Sequence, residues 1–300
     1  LQVNLVRSHA AGSGEPLELG IVRTVLFLKL LTFARGYSGV SLSLAKKIIQ
    51  FINKDIIPLI PEKGSVGASG DLAPLGHMAL ALIGEGKVFY KGKKYDSKIA
   101  LKEAKVKPLV LGPKEGISLI NGTQVSTALA IKGCLNGERL LKTADIAGAL
   151  SVENSFSSRK VFRSEVHIIK KHKGQLACAK NVYKMLNGSD IVRSHSNCGR
   201  VQDPYSFRCI PHIHGACRDS FINAAEMVNN EINSVSDNPL IMESGNVVSS
   251  GHFHAEHIAQ AMDILAIAFS ELGAVSERRT HFFMKGVGEK IPPFVASDPG

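Results

Sequence analysis

Tryptophan is absent from the 300 residues, aromatics of any kind make up only 6%, and the five cysteines include no Cys-x-x-Cys pair. The formal net charge of +10 would suit a nucleic-acid partner, yet no run interleaves aromatic with basic residues, so none is expected. The basic residues are instead spread over segments such as 91–94, 102–107 and 167–173, as solvated faces require. Cys134, Cys178, Cys198, Cys209 and Cys217 are too few and too irregular in spacing for a disulfide framework or a zinc ribbon. Reduced, mostly buried thiols are expected. No uncharged apolar stretch of 18 residues occurs, and no secretory leader opens the sequence. A soluble, cytoplasmic protein without a membrane partner is the expectation. Leu1-Gln2-Val3-Asn4-Leu5 lacks an initiator Met and reads as the middle of an amphipathic segment, while Pro299-Gly300 closes no helix. The chain is expected to be an excerpt of a longer protein.

What is present is mostly helical periodicity. Apolar residues recur at helical spacing over 17–35, with Gly36 as C-cap, and Ser41 or Ser43 opens a second helix running to Asn53. Pro58, Pro61 and the glycines of 64–70 interrupt the pattern, because they remove donors and add backbone entropy. Asp71 then heads an apolar run over 72–83, where a carboxylate complements the positive end of a helix. Hairpins are expected over 87–95, turning at Lys91-Gly92, and around 243–246 between Leu240-Ile241-Met242 and Val247-Val248. Residues 123–152, 213–232 and 254–284 form long helices. With no βαβ alternation and no internal repeat, the class is mainly α: a long central helical bundle with a few short hairpins.

The most informative string is Gly64-Ser65-Val66-Gly67-Ala68-Ser69-Gly70-Asp71-Leu72-Ala73-Pro74-Leu75. A flexible connector would explain its glycines, and so would a phosphate-cradling loop at a helix start. No Walker lysine follows and no strand precedes it, so neither explains the whole. The string resembles the Gly-x-Val-Gly-Ala-Ser-Gly-Asp-Leu-x-Pro-Leu signature of the histidine and phenylalanine ammonia-lyase family. The resemblance implies that Ala68-Ser69-Gly70 cyclises autocatalytically into 4-methylidene-imidazol-5-one. Ser69 would supply the reactive methylene carbon, and Ala68 and Gly70 the ring. Small residues suit that closure, since the glycine nitrogen must approach the alanine carbonyl very closely. The methylidene is an electrophile that no unmodified side chain offers, and it makes the substrate amine a leaving group.

Further blocks extend the resemblance almost from Leu1 to Gly300. Leu119-Ile120-Asn121-Gly122-Thr123-Gln124 looks like the family segment whose asparagine lies beside the prosthetic group; read alone, Asn-Gly-Thr is a turn followed by a helix cap. Val201-Gln202-Asp203-Pro204-Tyr205-Ser206-Phe207-Arg208-Cys209 is similar to the family's Val-Gln-Asp-x-Tyr-Ser-Leu-Arg-Cys block. It implies that Arg208 grips the substrate carboxylate, with Gln202 beside the substrate and Tyr205 as hydrogen-bond donor or proton carrier. Read alone, Arg208 is a surface ion-pair partner. Arg7-Ser8-His9-Ala10 matches the segment where histidine-specific members carry Ser-His, which makes His9 the partner of a substrate imidazole and histidine the substrate. Glu231-Ile232-Asn233-Ser234-Val235-Ser236-Asp237-Asn238-Pro239 also matches and is assigned to structure.

Where the family reads Ser-Gly-Gly-Asn-Phe-His-Gly-Glu, this chain reads Ser249-Ser250-Gly251-His252-Phe253-His254-Ala255-Glu256. Phe253 is kept as a pocket wall, while His252 and Ala255 depart. The departure creates His252-x-His254-x-Glu256-His257, close to a zinc-hydrolase signature, and so a rival enzyme class. A tyrosine or phenylalanine ammonia-lyase, an aminomutase and a catalytically dead relative are compatible with the same blocks. The resemblance further implies a fumarase/aspartase-like architecture and a homotetramer whose sites combine residues of several subunits. Residues 1–300 would be the central portion of one lyase unit, with the electrophile in 1–110 and the helical bundle in 111–300. The family's Tyr-Gly-x-Asn-Thr-Gly-Phe-Gly segment, which holds its catalytic base, and a C-terminal glutamate would lie outside these residues. A chain limited to them would lose several orders of magnitude of activity.

Overall fold

The computed structural model describes residues 1–196 and 199–298. Cys198 lies outside them, as do Pro299 and Gly300. The fold is mainly helical, as the periodicity requires, and the chain divides into two compact units. One comprises Leu1–Gly133 and Glu226–Gln260; the other comprises Cys134–Ala225 and Ala261–Gly300.

In the first unit the helices are α1 (Gln2–His9), α2 (Leu19–Ala34), α3 (Leu42–Asn53), α4 (Leu72–Leu82), α5 (Ser97–Glu103) and α6 (Glu115–Ile120), followed by the start of α7 (Gln124–Asn154). α2 is rich in apolar residues, burying Val22, Val25, Leu26 and Phe33 while Arg23 and Phe27 stay exposed. α3 is amphipathic and buries one stripe, Leu44, Ile48 and Phe51. Ser41 rather than Ser43 caps it, accepting the Leu44 N–H at 3.3 Å. Gly36 takes φ +85°, the left-handed conformation expected after α2. The core joins these helices to Leu75, Met78 and Leu119, each fully buried leucine or methionine contributing roughly 1.5–3 kcal/mol.

Three small sheets complete this unit. Strands β1 (Ser13–Pro16) and β3 (Pro61–Lys63) pair antiparallel, while β2 (Ile57–Pro58), β4 (Lys87–Tyr90) and β5 (Lys93–Asp96) form a three-stranded sheet in the order β2-β4-β5. The β4-β5 hairpin turns at Lys91 and Gly92, both at positive φ, as the right-handed strand twist favours. β6 (Leu240–Ile241) and β7 (Val247–Val248) form the other expected hairpin. β1, β2 and β3 are absent from the periodicity because two to four residues containing proline show no alternation.

The second unit takes most of α7 and then α8 (Ser164–Ile168), α9 (Lys173–Met185), α10 (Asp190–Ser194) and α11 (Tyr205–Arg208), with parts of α12 (Ile210–Ile232) and α13 (Glu256–Met284). Its core gathers Val152, Phe162, Val182, Phe207 and Ile210. α12 starts three residues before the expected position, because Pro211 is tolerated in a first turn whose N–H groups have no helical partner. α13 carries an 18-residue window of mean hydropathy 1.5 and is, among the described residues, the one helix long and apolar enough to cross a membrane.

Candidate active site

Residues 64–71 form a tight loop between β3 and α4. The Ala68 N–H bonds to Val66 O at 2.8 Å and the Gly70 N–H to Gly67 O at 3.2 Å, which folds the tripeptide back on itself. Gly70 has φ +78°, and a Cβ there would lie 2.7 Å from Gly122 O and 3.2 Å from Phe253 O. Only glycine fits. Ala68 and Ser69 are exposed, whereas Gly70 and Asp71 are buried. The loop is clamped from a third side by the Ala255 N–H, which donates to Gly67 O at 3.1 Å. Ala255, one of the departures from the family pattern, is buried, and its methyl would lie 3.8 Å from a Cβ on Gly67.

Asp71 heads α4 as expected, and its carboxylate does more than face that helix. It stands at the N-cap of α4, but its side chain makes no cap bond to that helix. The carboxylate instead accepts the N–H groups of Val125 and Ser126 at 2.7 and 2.8 Å, in the first turn of α7. It also accepts the hydroxyls of Ser65 and Ser126, both at 2.6 Å. One buried charge thus satisfies orphan donors of a distant helix and ties the loop to it. Thr123, read as a helix cap, donates its hydroxyl to Glu231 at 2.5 Å instead.

His9 ends α1. Its Nδ1–H donates to Leu5 O at 2.9 Å, so in the neutral ring Nε2 carries the lone pair. Gly76 on α4 lets this end of α1 approach closely, since a Cβ would fall 2.9 Å from Ala10 N. The Gly12 N–H donates to His77 Nε2 at 3.0 Å, and burial lowers the His77 pKa, keeping that acceptor neutral. A Cβ on Gly64 would lie 3.2 Å from Gly12 Cα. The segment bearing His9 therefore borders the start of the 64–70 loop and is pinned to the helix that follows it.

Asn121 leaves α6 in an extended conformation, φ −87°, ψ 139°. The next carbonyl, Gly122 O, accepts the Asp71 N–H at 2.8 Å. Asn121 Oδ1 is buried without a hydrogen-bond partner, an arrangement that protein interiors keep rare. His9, Ala68, Ser69, Gly70, Asn121 and Phe253 thus belong to one set of abutting segments in the first unit.

Gln202, Tyr205 and Arg208 lie in the second unit. Asp203 anchors their block by accepting the Ser158 N–H at 2.7 Å and Arg200 Nη1 at 3.0 Å. Tyr205 and Arg208 share one helical turn, three residues apart on one face, and the guanidinium carbon stands 4.5 Å from the phenol ring centroid. Tyr205 is 69% exposed, Gln202 is exposed, and Arg208 Nε is buried without a partner. Phe207 points the other way and is fully buried against Phe282, with ring centroids 4.8 Å apart. The turn therefore brings a phenol and a guanidinium together, and Gln202, in the segment before it, lines the same surface cleft as Tyr205.

A family model described as aromatic amino acid lyase matches residues 1–300. The chain belongs to the aromatic amino acid lyase family. It is 46% identical over 302 residues to the histidine ammonia-lyase of Vibrio cholerae, covering 100% of this chain and 59% of that protein. The crystal structure of histidine ammonia-lyase from Trypanosoma cruzi superposes with a TM-score of 0.89 at 36% identity, over 98% of this chain and 56% of the other. The phenylalanine aminomutase of Pantoea agglomerans gives a TM-score of 0.92 at 34% identity, over 99% of this chain and 61% of its own. The chain therefore spans about three fifths of the length of the relatives it matches. Because lyase and aminomutase members share the fold, fold alone does not separate their reactions.

Each unit also holds a cluster of metal-binding residue types. His252 and its neighbours line an open cleft, but their ligand atoms do not converge: His252 Nδ1 bonds to the Ser250 hydroxyl at 2.7 Å. Among the described residues, the only set of three with ligand atoms within 4.8 Å of one another is Asp145, Cys178 and His214, all buried. There Asp145 Oδ1 accepts from His214 Nδ1 at 3.0 Å and Cys178 Sγ at 3.1 Å, and Oδ2 accepts from Asn181 at 2.9 Å and Arg218 at 2.7 Å. Burial works to raise the Asp145 pKa, but the bonds from His214, Asn181 and Cys178 and the Arg218 charge hold it below the usual carboxylate value. Burial and the Asp145 charge push the Cys178 thiol far up, so it serves as a donor rather than a thiolate. With a guanidinium already on the carboxylate, a cation would meet repulsion, and the cluster reads as a structural network.

Lys29 escaped the sequence reasoning; it lies wholly buried in α2 with Nζ 2.5 Å from Asn121 O. One signal was available. Lys29 is the single charge in the apolar run Val25-Leu26-Phe27-Leu28-Lys29-Leu30-Leu31.

Proposed function

We propose that the protein is a histidine ammonia-lyase, releasing ammonia non-oxidatively from L-histidine to give urocanate on a 4-methylidene-imidazol-5-one built from Ala68-Ser69-Gly70. The observation that carries the reading is the clamped loop, with Gly70 in a left-handed conformation that admits no side chain and the orphaned Asn121 Oδ1 on the turn beside it. These residues fit the group. Its formation needs only atoms of the chain: the Gly70 nitrogen bonds to the Ala68 carbonyl carbon, and that oxygen leaves as water with the amide protons of Ser69 and Gly70. Ser69 then loses its Cα proton and hydroxyl as a second water. The resulting methylidene carbon supplies an electrophile that makes the substrate amine a leaving group.

The remaining work falls to side chains. Arg208 receives the substrate carboxylate in two charge-assisted bonds, the role its guanidinium geometry suits. Asn121 Oδ1 accepts from the substrate amine, Gln202 adds an amide, and the Tyr205 phenol carries a proton. His9 Nε2 accepts the imidazole N–H of the substrate, which favours histidine over tyrosine or phenylalanine, and Phe253 walls the pocket. A homotetramer belongs to the same proposal, supported by aliphatic side chains that the second unit leaves in water, Leu135, Ile146 and Leu150 on α7 and Ile267 on α13. So does a cytoplasmic location, with which free Cys134, Cys178, Cys209 and Cys217 agree.

The full-length protein tests the reading directly. Peptide mass spectrometry across residues 64–75 is expected to show the loss of two waters, and incubation with histidine is expected to give urocanate absorbance. An unmodified tripeptide would overturn the lyase, and activity on tyrosine or phenylalanine alone would overturn the substrate. Amino-group migration in place of ammonia release would mark an aminomutase, the runner-up favoured by the structural likeness. Arg208→Lys is expected to raise KM about 30-fold, since a point charge cannot reproduce the two-pronged contact. Its melting temperature should stay within a degree or two, because a lysine ammonium can keep the cation–π contact to Tyr205 and the buried Arg208 Nε has no hydrogen-bond partner to lose.

A further inference from the structure

Lys29 is the largest fully buried side chain that no part of this mechanism uses. Its ammonium donates to Asn121 O at 2.5 Å and to Gln124 Oε1 at 3.2 Å, and stands 5.4 Å from the Phe33 ring centroid. Gln124 is held in turn by Nε2 bonds to Thr32 Oγ1 at 3.1 Å and Ser236 Oγ at 2.9 Å. The neighbouring residue, Gly122, receives the Asp71 N–H and lies where a Cβ on Gly70 would collide. The turn that Lys29 grips therefore presents the orphaned Asn121 side chain on one side and backs the tripeptide on the other. An ammonium buried without a carboxylate in ion-pair contact loses more in hydration than two hydrogen bonds return, so a fold that places one here gains little stability from it.

We propose that Lys29 is a positioning residue for the ammonia-lyase reaction, its ammonium locking the Asn121-Gly122 turn against Ala68-Ser69-Gly70 so that the Asn121 amide stays aligned with the reacting amine. The proposal rests on the lyase reading. Its geometry has a titration attached. Burial lowers the Lys29 pKa to about 8, against the opposing pull of Asp237 and then Asp71, while the Lys114 charge pushes it further down. These are the charged groups facing it: Asp71 at the head of α4, Lys114 just before α6, and Asp237 in the turn after α12, where Lys114 Nζ and Asp237 Oδ2 pair at 3.1 Å. The charged donor is present below about pH 8 and is lost above it, so turnover should fall on the alkaline side as the grip on Asn121 weakens.

The test uses the full-length protein and two variants, Lys29→Met, which removes donor and charge at similar volume, and Lys29→Gln, which keeps a donor without charge. Three readouts are taken: mass across residues 64–75, kcat and KM against pH, and thermal melting. Lys29→Met is expected to melt cooperatively and to lose roughly 30-fold in kcat with KM within about threefold, since misalignment of a reacting contact acts on turnover rather than on binding. Its alkaline limb near pH 8 should vanish. A folded Lys29→Met within twofold of wild-type kcat and with the limb retained overturns the proposal. If Lys29→Met does not fold, Lys29→Gln decides: a drop in kcat of about fivefold or more without the limb supports the role, and an unchanged kcat and limb overturns it. Failure of the lyase reading looks different, because the wild-type peptide itself would then lack the two-water loss, and the Lys29 role would fall with it.

Discussion

Ser69→Ala in the full-length protein is expected to reduce kcat/KM by about a thousandfold or more, since it deletes the only source of the electrophilic carbon and leaves general acid–base groups that alone supply far less. The variant tripeptide can lose at most one water, because alanine has no hydroxyl to eliminate, so mass across residues 64–75 separates ring closure from dehydration. Stability should hardly move. Ser69 is exposed at the tip of the loop and takes no part in the bonds that Asp71 and Ala255 make to hold it. A surface hydroxyl of that kind changes unfolding free energy by about 0.5 kcal/mol or less. Activity within tenfold of wild type would remove Ser69 from the chemistry and the lyase reading with it.

Asp71→Ala is expected to act in the opposite way, on the fold first. The carboxylate is fully buried and accepts four hydrogen bonds, two from backbone N–H groups of α7 and two from serine hydroxyls. Truncation leaves the Val125 and Ser126 N–H groups and the Ser126 hydroxyl without their acceptor inside the fold, while the exposed Ser65 hydroxyl can turn to water, and losses of this kind run to about 3 kcal/mol. Chemical denaturation should show the midpoint falling with little change in slope, the signature of lost stability rather than altered compactness. A loss below about 1 kcal/mol would mean that water enters to replace the carboxylate and that the loop is not clamped as described. Asp71→Asn keeps one acceptor oxygen but turns an NH2 toward the same donors, so an intermediate loss is expected.

These two residues stand close together in the chain, and they differ in how far they can be read from it. Ala68-Ser69-Gly70 read alone is a commonplace turn, and it took its meaning from the family resemblance of residues 64–75 and the other matching blocks. The turn of Tyr205 and Arg208 is local, because a spacing of three places both on one helical face. Helical periodicity likewise marked the long helices, and the Lys91-Gly92 pair marked its hairpin. Strands β1, β2 and β3 escaped, since pairing across 30 or more residues leaves no alternation in segments that short. The bonding of the Asp71 carboxylate to α7 escaped for a related reason, although Asp71 does head α4. An acidic residue before an apolar run looks like the cap of that run, while its partners sit 54 and 55 residues further on.

The sequence alone thus determined the mainly α class, and through its family resemblance it singled out the 64–75 loop and the Gln202, Tyr205 and Arg208 block. Only the tertiary structure decided what holds that loop: the Gly122 and Phe253 carbonyls against Gly70, Ala255 on Gly67, Asp71 bridging to α7, and Lys29 beneath Asn121 from a position 92 residues away. The physical reason is that a buried charge is tolerated only where partners from distant segments converge on it, and no local pattern records that convergence.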